Sequence, residues 1–308
     1  MNYNMEEEHI DISVIIPHRN SIKTLDRLFD SIPVSDRIEI ILVDNSPTPI
    51  TKEDIGIGRD YSLYWAAPER FAGGARNVGV EHAHGKWLVF ADADDYFTPD
   101  AFDSFLSLRD DNADAIYFGM TGIYDDTGEF SPRGDYYTKR VRDYLAGRIN
   151  EYNVRLGFGS PCSKMVRRSL VEQHHLKFDE VVVCNDSYFA MCVGFYAKTI
   201  KAVDEIVYVA TVSRGSLTRR KDFNAVHSRY LVKLRMNEFM RNHTLNVYEE
   251  PVMANIWDCI KASPAKTLLL LMEAFKHRQN IFHGFNLQNW MRTIFKRTDA
   301  KDAIYNVK

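Results

Sequence analysis

Four groups of residues in this 308-residue chain have the types and spacing to do chemistry. The most pointed is Asp92-Ala93-Asp94-Asp95, which directly follows the apolar run Trp87–Ala91. Three carboxylates in four residues repel one another, so a cleft that holds them needs a compensating cation. Hard oxygen donors suit Mn²⁺ or Mg²⁺, usually shared with substrate phosphates. The plainer use is a solvated acidic turn in which Asp95 or Thr98 caps a helix. The second group is Asp44, which ends the run Ile38–Val43. A carboxylate there can accept from a base N–H or from ribose hydroxyls, or it can build an Asx-turn. The third is Ala72–Gly79 (AGGARNVG), with glycines that permit close backbone approach and Arg76 to match a phosphate at a helix N-terminus. Its spacing is not G-x-G-x-x-G and it follows the third strand, so helix–sheet packing accounts for the glycines equally well. The fourth is Asn185-Asp186 at the mouth of a helix, where Asp186 serves as a general base or as an N-cap.

These groups need elements to position them. Ile12–Ile16 is a β-branched run stopped by Pro17 and predicts a buried strand. Ser21 is placed to cap a helix carrying Ile22, Leu25, Leu28, Phe29 and Ile32 at helical spacing. Ile38–Val43, Tyr61–Ala66, Trp87–Ala91 and Ala115–Gly119 predict the next four strands. A turn at Gly73-Gly74 opens a helix to about Glu81–Ala83, and Pro99 fits the first turn of another. Strands alternating with helices imply a parallel sheet covered on both faces. Ligands of such sheets bind beyond the carboxyl ends of the strands. Pro17-His18-Arg19-Asn20, Asp44-Asn45-Ser46 and Asp92–Asp95 should therefore crowd one rim. Residues 120–150 are polar and turn-rich and predict a surface excursion. Asn185–Ala197 predicts a helix and Lys201–Val212 a strand. After Asp222 the pattern is helical: to about Asn242, from Pro251 to about His277, and near Leu287–Phe295.

Composition narrows the class. Such a length suggests about two domains. The net charge of -3 gives no basic field for nucleic acid, and 45% hydrophobic residues exclude a disordered chain. The four cysteines contain no C-x-x-C pair, which fits a reducing compartment. The start MNYNMEEEHI lacks a signal peptide's pattern, and no apolar stretch approaches a spanning helix. The expected location is cytoplasmic, or peripheral on the inner face of a membrane. From Asp222 onward 13 Lys/Arg stand against 8 Asp/Glu, so a basic tail balances an acidic body.

Together the motifs resemble those of the inverting family-2 glycosyltransferases of the GT-A fold, over roughly the first 220 residues. IIPHRN is similar to that family's P-x-Y-N opening and ILVDNS to its V-D-D-G-S turn. GGARNVGVEHAHGKWLVFADADD resembles its A-R-N-x-G…D-x-D-D stretch with the spacing preserved. GSPCSKMVRRSL, KFDE…NDSYF and SRGSLT resemble the acceptor-side half more loosely.

The resemblance implies a GT-A fold: an α/β, mixed, mostly parallel sheet flanked by helices. Residues 1–221 would be the catalytic domain and 222–308 a helical C-terminal extension. It implies that Pro17, Arg19 and Asp44 line a nucleotide pocket, with Asp44 against uracil, and that Arg76 sits near the base or phosphates. It also implies that Asp92 holds the ribose and, with Asp94, places Mn²⁺ or Mg²⁺ on the diphosphate of a nucleotide-sugar donor, with Asp95 a third member. Asp186 matches the catalytic base of the E-D motif, which would deprotonate a glycan or lipid-linked saccharide acceptor, as in surface-polysaccharide synthesis.

The chain departs from the pattern at Asn45, where a second Asp is usual, at Ser46, where Gly is common, and at Asn185, where Glu is usual. It also lacks the Q-x-x-R-W of processive synthases, which argues for single-sugar transfer. A nucleotide-sugar-binding relative without catalysis is the rival reading. A nucleotidyltransferase would need a glycine-rich loop after the first strand, and Pro17–Asn20 has no glycine. The basic helical tail suits either a peripheral membrane contact or packing against the catalytic domain or a second copy.

Overall fold

The first strand runs further than its apolar letters. In the computed structural model, which describes residues 10–20, 22–56, 58–213 and 220–284, β1 is Ile12–His18 and passes through Pro17 instead of stopping before it. It pairs in parallel with β2 (Ile38–Asp44) along its whole length, and with the strand Trp87–Phe90 only as far as Ile15. Asn45 N–H donates to His18 O at 2.8 Å, and Ala91 N–H to Ile15 O at 3.1 Å. Pro17 therefore faces the side where its neighbour has already ended, and its missing N–H costs no ladder bond.

The remaining elements follow in order. α1 (Leu25–Asp30) is entered through a 3₁₀ turn, Ile22–Thr24, while the Ser21 cap lies outside the described residues. α2 (Lys52–Ile55) is one turn closed by a Thr51–Asp54 capping box. β3 (Ser62–Trp65) joins β2 in parallel. α3 (Phe71–Glu81) starts two residues ahead of Gly73-Gly74, after a 3₁₀ turn at Pro68–Arg70. β4 (Trp87–Phe90), β5 (Tyr96–Phe97), α4 (Ala101–Ser107) and β6 (Ala115–Tyr124) come next.

Residues 120–150 are more ordered than their turn-rich text suggests. β6 continues to Tyr124, β7 (Phe130–Ser131) pairs back on it, and α5 (Asp135–Leu145) packs alongside. Thr138 explains the docking of α5: its Oγ1 accepts from Met120 N–H at 2.8 Å and donates to Met120 O at 2.5 Å. α6 (Glu151–Gly157), β8 (Lys164–Arg167), α7 (Arg168–Gln173), α8 (Ser187–Tyr196) and β9 (Ile200–Val212) complete the series.

The sheet order is β3-β2-β1-β4-β8-β6-β9-β5, with β7 on β6. β3, β2, β1 and β4 run parallel, as do β6 and β9, whereas β8 is antiparallel to both its neighbours and β5 to β9. The sheet is thus mixed and mostly parallel, as expected from the sequence, although strand–helix alternation does not show which strand is inserted in reverse. One face buries Val14 and Ile16 with Phe97, Phe102, Phe105 and Phe118. On the other face α3 approaches so closely that a Cβ on Gly79 would lie 2.4 Å from Ile15 Cγ2.

Contacts divide the chain into two compact units. The first comprises the described residues through Val181 together with Asn185–Ser213. The second comprises Val182–Cys184 and the described residues from 220 onward. In the second unit α9 (Phe223–Asn242) is capped by Asp222, whose side chain accepts from Ala225 N–H. The helix expected over Pro251–His277 is two, α10 (Met253–Ala262) and α11 (Thr267–Lys276), because Pro264 forces Ser263 out of helical geometry. Tyr230, Leu234, Val252, Ile256, Cys259 and Leu270 form the core of this unit. α11 exposes Leu268, Met272 and Phe275, part of the apolar face that the sequence offered for a membrane or dimer contact. The segment expected near Leu287–Phe295 lies outside the described residues. No described helix is long and apolar enough to cross a membrane. The four cysteines form no disulfide.

A Cβ on Gly194 would sit 1.9 Å from Arg155 O, a backbone atom that cannot step aside cheaply. Gly194→Ala should therefore destabilise the α6–α8 contact by about 1–3 kcal/mol, read as a lower denaturation midpoint. An unchanged midpoint would show that the two helices are not held this tightly.

Candidate active site

Parallel pairing brings the carboxyl ends of β1, β2 and β4 side by side, and the polar segments that follow them share one rim. Asn20 N–H donates to Ser46 Oγ at 2.9 Å, with Asn20 at φ 55°, a left-handed position that Asn tolerates. The Asp44 carboxylate is buried. Its Oδ1 accepts from Ser46 Oγ at 2.6 Å and Ser46 N at 3.2 Å and lies 3.0 Å from His18 Nδ1, while Oδ2 accepts from Ile50 N at 3.2 Å. The turn-building use of Asp44 is realised here. Ser46, the residue that departs from the glycine pattern, ties that turn to Asn20. Pro17 is buried in β1, and exposed Arg19 donates to Pro68 O at 3.2 Å, ahead of α3.

The acidic turn after β4 is stitched to β9. Asp95, buried, accepts from Tyr208 Oη at 2.9 Å and from Thr211 N–H at 2.6 Å. Asp92 N–H donates to Tyr208 Oη at 2.9 Å, and Thr211 Oγ1 donates to Asp94 O at 2.6 Å. Burial, then the charges of Asp94 and Asp92, push the Asp95 carboxyl well above the usual range. Asp95 therefore faces inward and shapes the turn. The Asp94 side chain opens to solvent and accepts no hydrogen bond from another described residue. The protein around it and then Asp92 still raise its carboxyl, while Arg133 and Arg27 oppose them. Arg133 donates to Thr211 O at 2.6 Å and Arg27 to Asp94 O at 2.7 Å.

α3 carries the central cation. The guanidinium of Arg76 is buried, with Nη1 donating to Asn185 Oδ1 at 2.7 Å and Nη2 bonded to Asp92 Oδ1. It also lies over the Phe178 ring, 5.5 Å from its centroid. One residue on, Asn77 accepts Phe178 N–H at 2.8 Å and donates to Phe178 O at 3.1 Å. Gly73 allows the same loop to close, because a Cβ there would meet Asp179 O at 2.0 Å. The packing account of these glycines is the one that the structure realises, and Arg76 bonds the acidic turn and Asn185.

Asp186 stands at the N-cap position of α8, but its backbone is already helical and its side chain makes no capping bond. The capping reading fails on that geometry. Burial raises its carboxyl, with Asp92 adding to the effect and Arg76 and Lys164 opposing it. A half-buried carboxylate of raised basicity suits proton abstraction. The nearby Cys162 thiol is pushed well above its usual range by burial and is no nucleophile.

Sequence reasoning missed Tyr208, Thr211, Arg133, Arg27 and Lys164. Tyr208 and Thr211 read as ordinary strand letters, and Arg133 as loop. The residues suit a divalent cation shared with a substrate. Among the described residues no three His, Cys, Asp or Glu side chains converge to cage a metal. Asp94 is an open carboxylate beside a second one, and two carboxylates plus phosphate oxygens are what Mg²⁺ or Mn²⁺ commonly takes.

The mixed sheet with its acidic turn beyond β4 is the GT-A architecture, and comparisons with known proteins agree. A model of Glycosyl transferase family 2 matches residues 13–175, and the chain belongs to that family. EpsH of Bacillus subtilis (strain 168) is 27% identical over 195 residues, 60% of this chain and 55% of its own. The poly(ribitol-phosphate) beta-N-acetylglucosaminyltransferase TarS of Staphylococcus aureus (strain Mu50 / ATCC 700699) is 25% identical over 214 residues, 66% of this chain and 36% of its own. The chain thus spans about half of these relatives' length or less. The crystal structure of S. aureus TarS 1-349 in complex with UDP-GlcNAc superposes with a TM-score of 0.61 at 20% identity, covering 94% of this chain and 80% of that one. The mannosyltransferase PcManGT from Pyrobaculum calidifontis, in complex with GDP-Man and Mn²⁺, gives 0.53 at 16% identity, over 95% and 81%.

Breaking a buried ion pair on one side typically costs about 3–5 kcal/mol. Arg76→Met should lose stability on that scale, and Arg76→Lys less, since it keeps the charge but not the fork. A thermal melt in which Arg76→Met matches the wild type would contradict the bridging role.

Proposed function

We propose that this chain is an inverting, metal-dependent glycosyltransferase. It would move one sugar from a UDP-sugar onto a hydroxyl of a glycan or lipid-linked acceptor in polysaccharide synthesis, with residues 1–221 as its catalytic domain. The observation that carries this reading is Asp186, an uncapping carboxylate of raised basicity, held beside the arginine that bonds the acidic turn.

In this reading Pro17, Arg19 and the turn built on Asp44 shape the nucleoside pocket at the ends of β1 and β2. Asp94, with Asp92, would hold the divalent cation against the donor diphosphate, and Asp95 fixes the turn from within. The bound cation supplies Lewis acidity, making the departing diphosphate less basic. Asp186 takes the proton of the acceptor hydroxyl. That oxygen bonds to the anomeric carbon as the carbon–diphosphate oxygen bond breaks, and the bonding pair leaves with the nucleoside diphosphate. A single displacement from the face opposite the leaving group inverts the centre, so no second carboxylate nucleophile is needed. Asn185, in place of the family's Glu, accepts from Arg76 and so holds the cation between Asp92 and the base.

General bases contribute about 10²–10⁴-fold. Asp186→Asn should lower release of nucleoside diphosphate from a nucleotide-sugar panel by that factor and leave UDP binding unchanged. If the wild type turns over no donor while still binding UDP, the chain is a nucleotide-sugar-binding relative instead.

A further inference from the structure

The last described helix gives the core only part of its apolar surface. Leu270 and Ala274 of α11 are buried, and Tyr230 Oη donates to Leu270 O at 2.7 Å. The opposite side carries Leu268, Leu271, Met272 and Phe275, spaced i, i+3, i+4 and i+7, so that they form one stripe. Their exposures are 69%, 43%, 55% and 86%. Single apolar residues scattered over a surface are ordinary, but four in one stripe mark an interaction face.

The charges around the stripe say what it meets. Between residues 261 and 284 the exposed charged side chains are Lys261, Lys266, Lys276 and Arg278. Glu273 is the one carboxylate in that span, and it is half-buried, 2.8 Å from His227 Nε2. The exposed charge beside the stripe is therefore all positive. A second copy seated on its own counterpart would bring two such surfaces together, with no exposed carboxylate in this span on either to answer them. Residues 285–308 hold five Lys/Arg against two Asp, so that segment would add to the positive charge instead of offsetting it. An anionic lipid surface answers both features at once: the apolar stripe enters below the headgroups and the basic side chains meet their phosphates.

We infer that α11 is a docking face for an anionic bilayer, lying flat on it with Leu268, Leu271, Met272 and Phe275 turned into the acyl boundary. At 10 residues the helix is too short to span and long enough to lie in the interface. Attachment through one short stripe and a few charges is reversible and weakens with salt. Of the two acceptor classes offered above, a chain held at a bilayer favours the lipid-linked one. That extension rests on the transferase reading. The attachment itself does not, and it is measured without turnover, so either can fail alone.

The test is flotation of the full-length protein with vesicles of phosphatidylcholine alone and of phosphatidylcholine mixed with phosphatidylglycerol. The wild type should float with the anionic vesicles at low salt, far less with the neutral ones, and little in about 1 M salt, where charges are screened within about 3 Å. Leu268→Ser/Phe275→Ser should abolish flotation and leave the melting temperature and the sedimentation mass unchanged. Lys276→Glu should weaken binding about 25-fold, two charges at about fivefold each. Wild-type protein that stays in solution beside anionic vesicles would overturn the proposal. So would equal flotation with both vesicles, or undiminished flotation of the double variant. A lower melting temperature of the double variant without lipid would show the face covered within the chain, and a halved mass would assign it to a second copy. Either result would overturn the proposal as well.

Discussion

The site depends on the burial of one guanidinium. Arg76 is shielded from water, so its donors need acceptors inside the protein, and Asp92 and Asn185 supply them from two distant parts of the chain. Meeting that requirement draws the turn after β4 towards the residues that open α8. α3 is the rigid element between them. Its glycines admit the loop at Asp179 on one side and the sheet at Ile15 on the other. Asn185 and the acidic turn are thus tied through one shared charge, with no direct bond between them needed.

The rim was the most legible part of the sequence. Apolar runs ending in Pro17-His18, Asp44 and Asp92 announce strands whose carboxyl ends must be neighbours in a parallel sheet, and β1, β2 and β4 are indeed adjacent. What could not be read came from partners far along the chain. Tyr208 reaches Asp95 across 113 positions, and Arg76 reaches Asn185 across 109. Such pairs leave no local pattern. The reverse insertion of β8 was hidden for a related reason, since its short apolar run carries no mark of direction. α5 was missed because a half-buried helix written mostly in charged and tyrosine residues looks like loop until Thr138 docks it on Met120.

Asp44 and Asp95 show how a motif letter can be right in place and different in use. Both stand where the pattern puts them, and both spend their carboxylates inside the protein, on Ser46 and Ile50 in one case and on Tyr208 and Thr211 in the other. They build the turns that present their neighbours. Asp94 is left as the outward carboxylate, raised by the protein around it and then by Asp92, with Arg133 and Arg27 opposing.

The central claim is that this acidic turn receives a nucleoside diphosphate together with a metal. The most direct measurement is the melting temperature of the wild-type chain with UDP, in EDTA and in Mn²⁺. A ligand that binds only the folded state raises that temperature in proportion to its occupancy. The account predicts a clear rise with UDP and Mn²⁺ together and little with UDP in EDTA. An equal rise under both conditions would contradict the metal assignment. No rise with any nucleotide, with or without metal, would contradict the whole reading.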